Sequence, residues 1–153
     1  MIKINAIIRH QFWNKKIPNI NSYLQKKIKI LSKKIAHLKN TDYEFTLLLS
    51  GDKEIKDLNK KFRKKNKTTD VLSFPFYDKK SLSKLKNSKK KIYLGDVAIN
   101  VNKVKKNRNK EFNTHFNKLW IHGLVHLFGH NHIKDKDFNK MKKLENEFSE
   151  LIK

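Results

Sequence analysis

The chain has 153 residues, with 37 lysines and arginines against 14 aspartates and glutamates, a formal net charge of +23, and no cysteine. The lack of cysteine excludes a disulfide framework and a thiolate metal site, and no apolar run reaches the length of a signal-peptide core or a membrane span. These features predict a soluble cytoplasmic protein with one domain over residues 1–153, and the charge predicts a polyanionic partner such as nucleic acid.

The elements follow in chain order. Ile2, Ile4, Ala6 and Ile8 alternate as in a strand. Residues 18–38 read as one helix, with Pro18 in its first turn and Leu24, Ile28, Leu31 and Ile35 as its apolar stripe. The run 43–50 is apolar and β-rich, a strand ending at Gly51. Residues 52–63 predict a helix with Asp52 as N-cap, Glu54 in the first turn, and Ile55, Leu58 and Phe62 buried. Residues 70–76 predict a strand, and Pro75 makes it an edge strand or ends it. The lysine- and serine-rich stretch 77–91 predicts an exposed loop. Residues 92–100 predict the last strand, with Gly95 at a bulge or close approach. From residue 101 the pattern is helical. A short helix leads to a longer one over about 112–129, and a last one over about 136–152 places Phe138, Met141, Leu144, Phe148 and Leu151 on one face. Mixed strands and helices followed by helices alone indicate an α+β fold with a small mixed sheet.

Four of the seven histidines fall within "HGLVHLFGHNH", from His122 to His132. On a helix, His122 and His126 stack one turn apart on the same face, close enough for two imidazoles to share an ion. Gly129 suits a helix C-cap, after which the chain can bring His132 back as a third ligand. Three histidines and one open position describe a catalytic metal site. His130 is expected to point away or to act behind the ligands. Asp135 and Asp137 can either orient a ligand histidine or cap the last helix. Gly123 stands where a zinc peptidase of the H-E-x-x-H type carries its glutamate base.

Three stretches together resemble the YbeY family of bacterial endoribonucleases: "HGLVHLFGHNH", "LNKKFRKKNKTTDVLSFPF" (58–76) and "LGDVAIN" (94–100). They keep the family's order, and the resemblance covers the chain from about residue 43 onward. Thr68 stands where the family usually has proline, and Asn131 where it usually has aspartate. The resemblance implies one zinc ion on His122, His126 and His132, a compact α+β fold with a four-stranded sheet like that of zinc metallopeptidases, and an essential Arg63. It also implies cleavage of single-stranded RNA during maturation of small-subunit (16S) ribosomal RNA, with the ribosomal small subunit as partner.

The residues themselves leave some alternatives open. Only Arg9, Arg63 and Arg108 are arginines, and the wealth of lysine, asparagine and isoleucine also fits an AT-rich coding bias. Arg63 can grip a phosphate through two oxygens or form a surface ion pair. The nucleophile can be a metal-activated water or the RNA 2′-hydroxyl. Lys64, Lys65 and Lys67 are expected to track an RNA backbone electrostatically. Phe74 and Phe76 are expected in a core rather than stacked on bases, with Tyr77 open. Two rival functions remain: a zinc peptidase with its base supplied from elsewhere, and a non-catalytic basic assembly factor with a structural metal.

Overall fold

The computed structural model describes residues 1–86, 90–104 and 109–153. Its strands are β1 (Ile2–Ile8), β2 (Tyr43–Ser50), β3 (Val71–Pro75) and β4 (Ile92–Asn100). Its helices are α1 (Phe12–Lys16), α2 (Ile20–Lys34), α3 (Ala36–Lys39), α4 (Asp52–Arg63), α5 (Lys79–Leu85), α6 (Asn109–Leu127) and α7 (Asp135–Leu151). The sheet order is β1-β2-β4-β3; β1, β2 and β4 are parallel, and β3 runs antiparallel to β4 at one edge. The class is α+β with a small mixed four-stranded sheet, as the order of elements predicts.

The strand alternation sorts residues between two layers. Ile2, Ile4, Phe45, Leu47, Leu49, Val97 and Ile99 enter the main core with α2, α6 and α7. The opposite face carries only a small buried cluster of Ile55, Leu72 and Ala98, with Leu48, Leu58 and Phe74 packed around it beneath α4. Helix α6 buries Phe112, Phe116, Leu119, Trp120, Ile121, Leu124, Val125 and Leu127. Each contributes roughly 1.5–3 kcal/mol of burial, so the helix that carries His122 and His126 is firmly anchored. It lies close to the sheet because Gly123 has no side chain: a Cβ there would stand 2.4 Å from Val97 Cγ1. Gly95 has φ +131° beside the register shift between β2 and β4, and a Cβ on it would meet the Phe74 carbonyl at 2.2 Å. The expected bulge and close approach coincide at this residue.

Several expectations are corrected. The single helix over 18–38 is two, because Ile35 is extended and buried between α2 and α3, and Pro18 precedes α2 rather than opening it. The N-cap of α4 is Gly51. Asp52 is its first residue, and its carboxylate accepts from the Asn100 amide at 2.7 Å. Phe62, in the last turn of α4, is 58% exposed with its ring tilted against Phe74 of the edge strand, while Asn59 takes the buried place one turn back. Phe76 and Phe138 are also exposed, whereas Phe74 is partly buried and Tyr77 packs on the main core. The stretch 77–91 contains α5, capped by Asp78 accepting from the Ser81 amide and anchored by buried Leu82; residues 87–89 lie outside the described residues. The short helix after β4 is a single 3-10 turn, Val101–Lys103, and residues 105–108 lie outside the described ones.

Candidate functional site

Helix α6 ends in a way that builds the site. Gly129, at φ +92°, donates to the His126 carbonyl at 2.9 Å, and His130 donates back to the Val125 carbonyl at 3.4 Å. This is a Schellman reversal, and the left-handed residue it requires is the glycine. The turn carries the chain back over the end of α6. The rings of His126 and His132 then stand with centroids 5.2 Å apart, and those of His122 and His132 at 6.0 Å. His122, His126 and His132 each offer a ligand nitrogen, all within 4.8 Å of one another.

Two of the rings are oriented from behind. His122 Nδ1 lies 2.6 Å from the Glu145 carboxylate of α7, and His126 Nδ1 lies 2.9 Å from the His130 carbonyl. Both partners are acceptors, so each Nδ1 carries a proton, and in the neutral ring each Nε2 presents its lone pair inward. The two Nε2 atoms face one another at 3.1 Å. Two ring nitrogens at this distance share either a proton or a cation. Tetrahedral zinc, with Zn–N bonds of roughly 2.0–2.1 Å, spaces two ligand nitrogens about 3.3 Å apart. The donor set therefore fits a divalent metal of the zinc type. Burial, and then the neighbouring His122, push the His126 pKa down to about 4, which keeps the ring a neutral ligand near pH 7.

Arg63 reaches the same place from the other direction. It ends α4, and its Nη2 donates to the Ser73 carbonyl at 2.8 Å on the outer edge of β3. Arg63, Val71, Ser73, Pro75, His122, His126, Asn131, His132 and Ile133 line one cleft of about 360 Å³. Lys64, Lys65 and Lys67 do not line it. They lie on the exposed turn that follows α4, where Lys64 is left-handed at φ 56° and the Asn59 amide donates to the Lys67 carbonyl at 2.8 Å. Asp135 and Asp137 sit in the first turn of α7, where negative charge suits the helix N-terminus but neither makes a cap hydrogen bond, and Glu145 is the carboxylate that meets His122. His130 serves through its backbone carbonyl. Asn131 accepts from the Ile133 amide at 3.4 Å. Glu145 was missed by sequence reasoning; its signal is its place beside the Met141–Leu144–Phe148 stripe, which turns it toward α6.

An α+β layer whose central helix presents paired histidines beside an arginine-lined edge strand is an arrangement that could hold a metal ion. Comparison with known proteins narrows this class. The family model described as Endoribonuclease YbeY matches residues 8–153. An Endoribonuclease YbeY of Pelagibacter ubique is 43% identical over 156 residues, covering 100% of this chain and 97% of the relative. One from Buchnera aphidicola is 38% identical over 149 residues, 93% of this chain and 88% of its own. One from Leptospira interrogans is 36% identical over 137 residues, 81% of this chain and 96% of its own. A Thermotoga maritima protein known from its solution structure shares the fold, with a TM-score of 0.60 at 24% identity, covering 99% of this chain and 89% of that one. The chain belongs to the YbeY family. Among the described residues, no helix is long and apolar enough to cross a membrane.

Proposed function

We propose that this protein is a metal-dependent endoribonuclease that cleaves phosphodiester bonds in single-stranded RNA. Its zinc ion is held by His122, His126 and His132, and it acts in the cytoplasm in maturation of small-subunit ribosomal RNA. The observation that carries the reading is the convergence of the three imidazoles and Arg63 on one cleft. Relatives across most of the chain are named endoribonucleases, and the formal charge of +23 suits a polyanionic substrate.

When bound, zinc supplies a Lewis acid and lowers the pKa of its water to about 7. The chain's own residues do the rest. Glu145 and the His130 carbonyl fix the tautomers of His122 and His126, so no reorganisation is needed when the metal arrives. One N–H of Arg63 anchors the guanidinium to Ser73, and its remaining N–H groups are left to face a phosphate. A planar fork held in this way stabilises charge that develops on the phosphoryl oxygens.

A peptidase of the H-E-x-x-H type is disfavoured by packing. The position of its glutamate is Gly123, which faces Val97 and Ser73 in the sheet and has no room even for a Cβ.

The test is elemental analysis of the purified protein and of His126→Ala, with both assayed on a single-stranded ribosomal RNA fragment. One equivalent of zinc, lost in the variant together with cleavage, is the expected result. Zinc without cleavage in either protein would favour a basic assembly factor with a structural metal. A folded wild type that binds no divalent metal would overturn the reading.

A further inference from the structure

The sheet face opposite the histidines holds a row of aromatic side chains that the proposed chemistry does not use. Phe62 is 58% exposed and Phe76 is 65% exposed. Large rings are not left in water at this level without consequence, and here they come as a group. The Phe62 ring lies 5.3 Å from that of Phe74. Phe76 lies 4.9 Å from Tyr77 and 6.0 Å from Tyr93, edge-on to both. Each exposed ring is thus held by a neighbour. Phe74 and Phe76 alternate onto the same side of the chain, about 7 Å apart along it.

The row is basic as well as aromatic. The Lys61 ammonium stands 5.3 Å from the Phe62 ring centroid. Arg63, Lys64, Lys65 and Lys67 follow directly on the chain. Asp96 is the acidic residue paired in register with Phe74, and its carboxylate is engaged by the Tyr93 hydroxyl. Arg63 joins the two sides: its guanidinium lies 5.9 Å from the Phe74 ring centroid, while its Nη2 reaches the Ser73 carbonyl at 2.8 Å in the histidine cleft. Strand β3 lies between cleft and rings, and among the described residues no strand covers its outer edge.

Resting on the nuclease reading above, we propose that Phe62 and Phe76 form a base-stacking subsite for single-stranded RNA. A strand whose phosphate lies against Arg63 crosses β3 and lays its neighbouring bases on these rings. Stacking accepts any base and needs unpaired ones, so the subsite selects single strands without reading sequence.

The test is fluorescence anisotropy on the full chain with the metal it carries. The probes are a 2′-O-methyl phosphorothioate oligouridine, which resists cleavage, and an RNA duplex of equal length. Phe62→Ala and Phe76→Ala are each expected to weaken single-strand binding on the order of tenfold and to leave duplex binding unchanged. Phe76→Trp restores affinity, and Phe76→Leu does not. Single-strand affinity unchanged in both alanine variants, with Arg63→Ala still weakening it, would overturn the subsite but keep the nuclease reading, and would assign the patch to a protein partner. Equal losses on single strand and duplex would also overturn it. A wild type that binds no RNA would overturn both.

Discussion

The histidine cleft and the lysine turn after α4 are both candidate RNA contacts, and they are built in opposite ways. In the cleft, His122, His126 and Arg63 each have a second partner that fixes them: the Glu145 carboxylate, the His130 carbonyl and the Ser73 carbonyl. On the turn, the backbone is held by Asn59, while the side chains of Lys64, Lys65 and Lys67 stand exposed. Groups that must meet a transition state at one geometry are pre-positioned. Groups that only gather a polyanion need charge and can keep their freedom. Substitutions in the first region should therefore act steeply, and in the second gently and additively.

The largest effect is expected from His126→Ala. It should abolish metal binding in elemental analysis and lower RNA cleavage by about three orders of magnitude, as expected for loss of a Lewis acid worth several kcal/mol. Arg63→Ala should lower kcat/KM on the order of a hundredfold or more while metal content is retained. Arg63→Lys should recover little of this, because an ammonium cannot reproduce the fork. If lysine restores full activity, Arg63 belongs with the turn and the contrast fails. Glu145→Ala should weaken zinc affinity by roughly 10–100-fold in a competition titration with a chromophoric chelator. Unchanged affinity would show that His122 needs no support. Single alanine substitutions at Lys64, Lys65 or Lys67 should weaken RNA binding only a few-fold, each lowering the slope of log Kd against log salt by about one. A loss as steep as that of Arg63→Ala would move that lysine into the cleft's class.

A separate expected effect is on stability with pH. The folded-state pKa of His126 is about 4, against 6.5 for a free imidazole. Below pH 6.5 the unfolded chain takes up a proton that the folded chain refuses. The metal-stripped protein is thus stable above pH 6.5 and loses stability as the pH falls toward 4. Thermal melts of chelator-treated protein over that window should show a falling Tm. His126→Gln should flatten the fall.

The histidine half of the cleft was legible in the sequence because it is local. Helical spacing aligns His122 with His126, and Gly129 makes the reversal that returns His132. The α+β class and all four strands were legible, β1 through alternation of apolar residues and β2 as an apolar, β-rich run. Glu145 was not, since its role arises from packing of α7 on α6 across 23 positions, and Glu147 and Glu150 nearby look alike in sequence. Helix α5 was hidden because its interior is lysine and serine and a single buried leucine anchors it. The exposure of Phe62 was hidden for a different reason: periodicity shows which side of a helix is apolar, and does not show where the layer beneath it ends.

The free margin of β3 has a further consequence. Asp70 and Phe76 use their backbone groups toward β4, so those of Val71, Ser73 and Pro75 face outward. A row of unpaired donors and acceptors of this kind templates the addition of a foreign strand, the first step of aggregation. Here Pro75 has no N–H to offer, the Val71 N–H donates to the Asp70 carboxylate at 2.7 Å, and the Ser73 carbonyl is already taken by Arg63. The arginine proposed to face the substrate phosphate thus also occupies one acceptor of this edge, and its removal is expected to cost solubility as well as turnover.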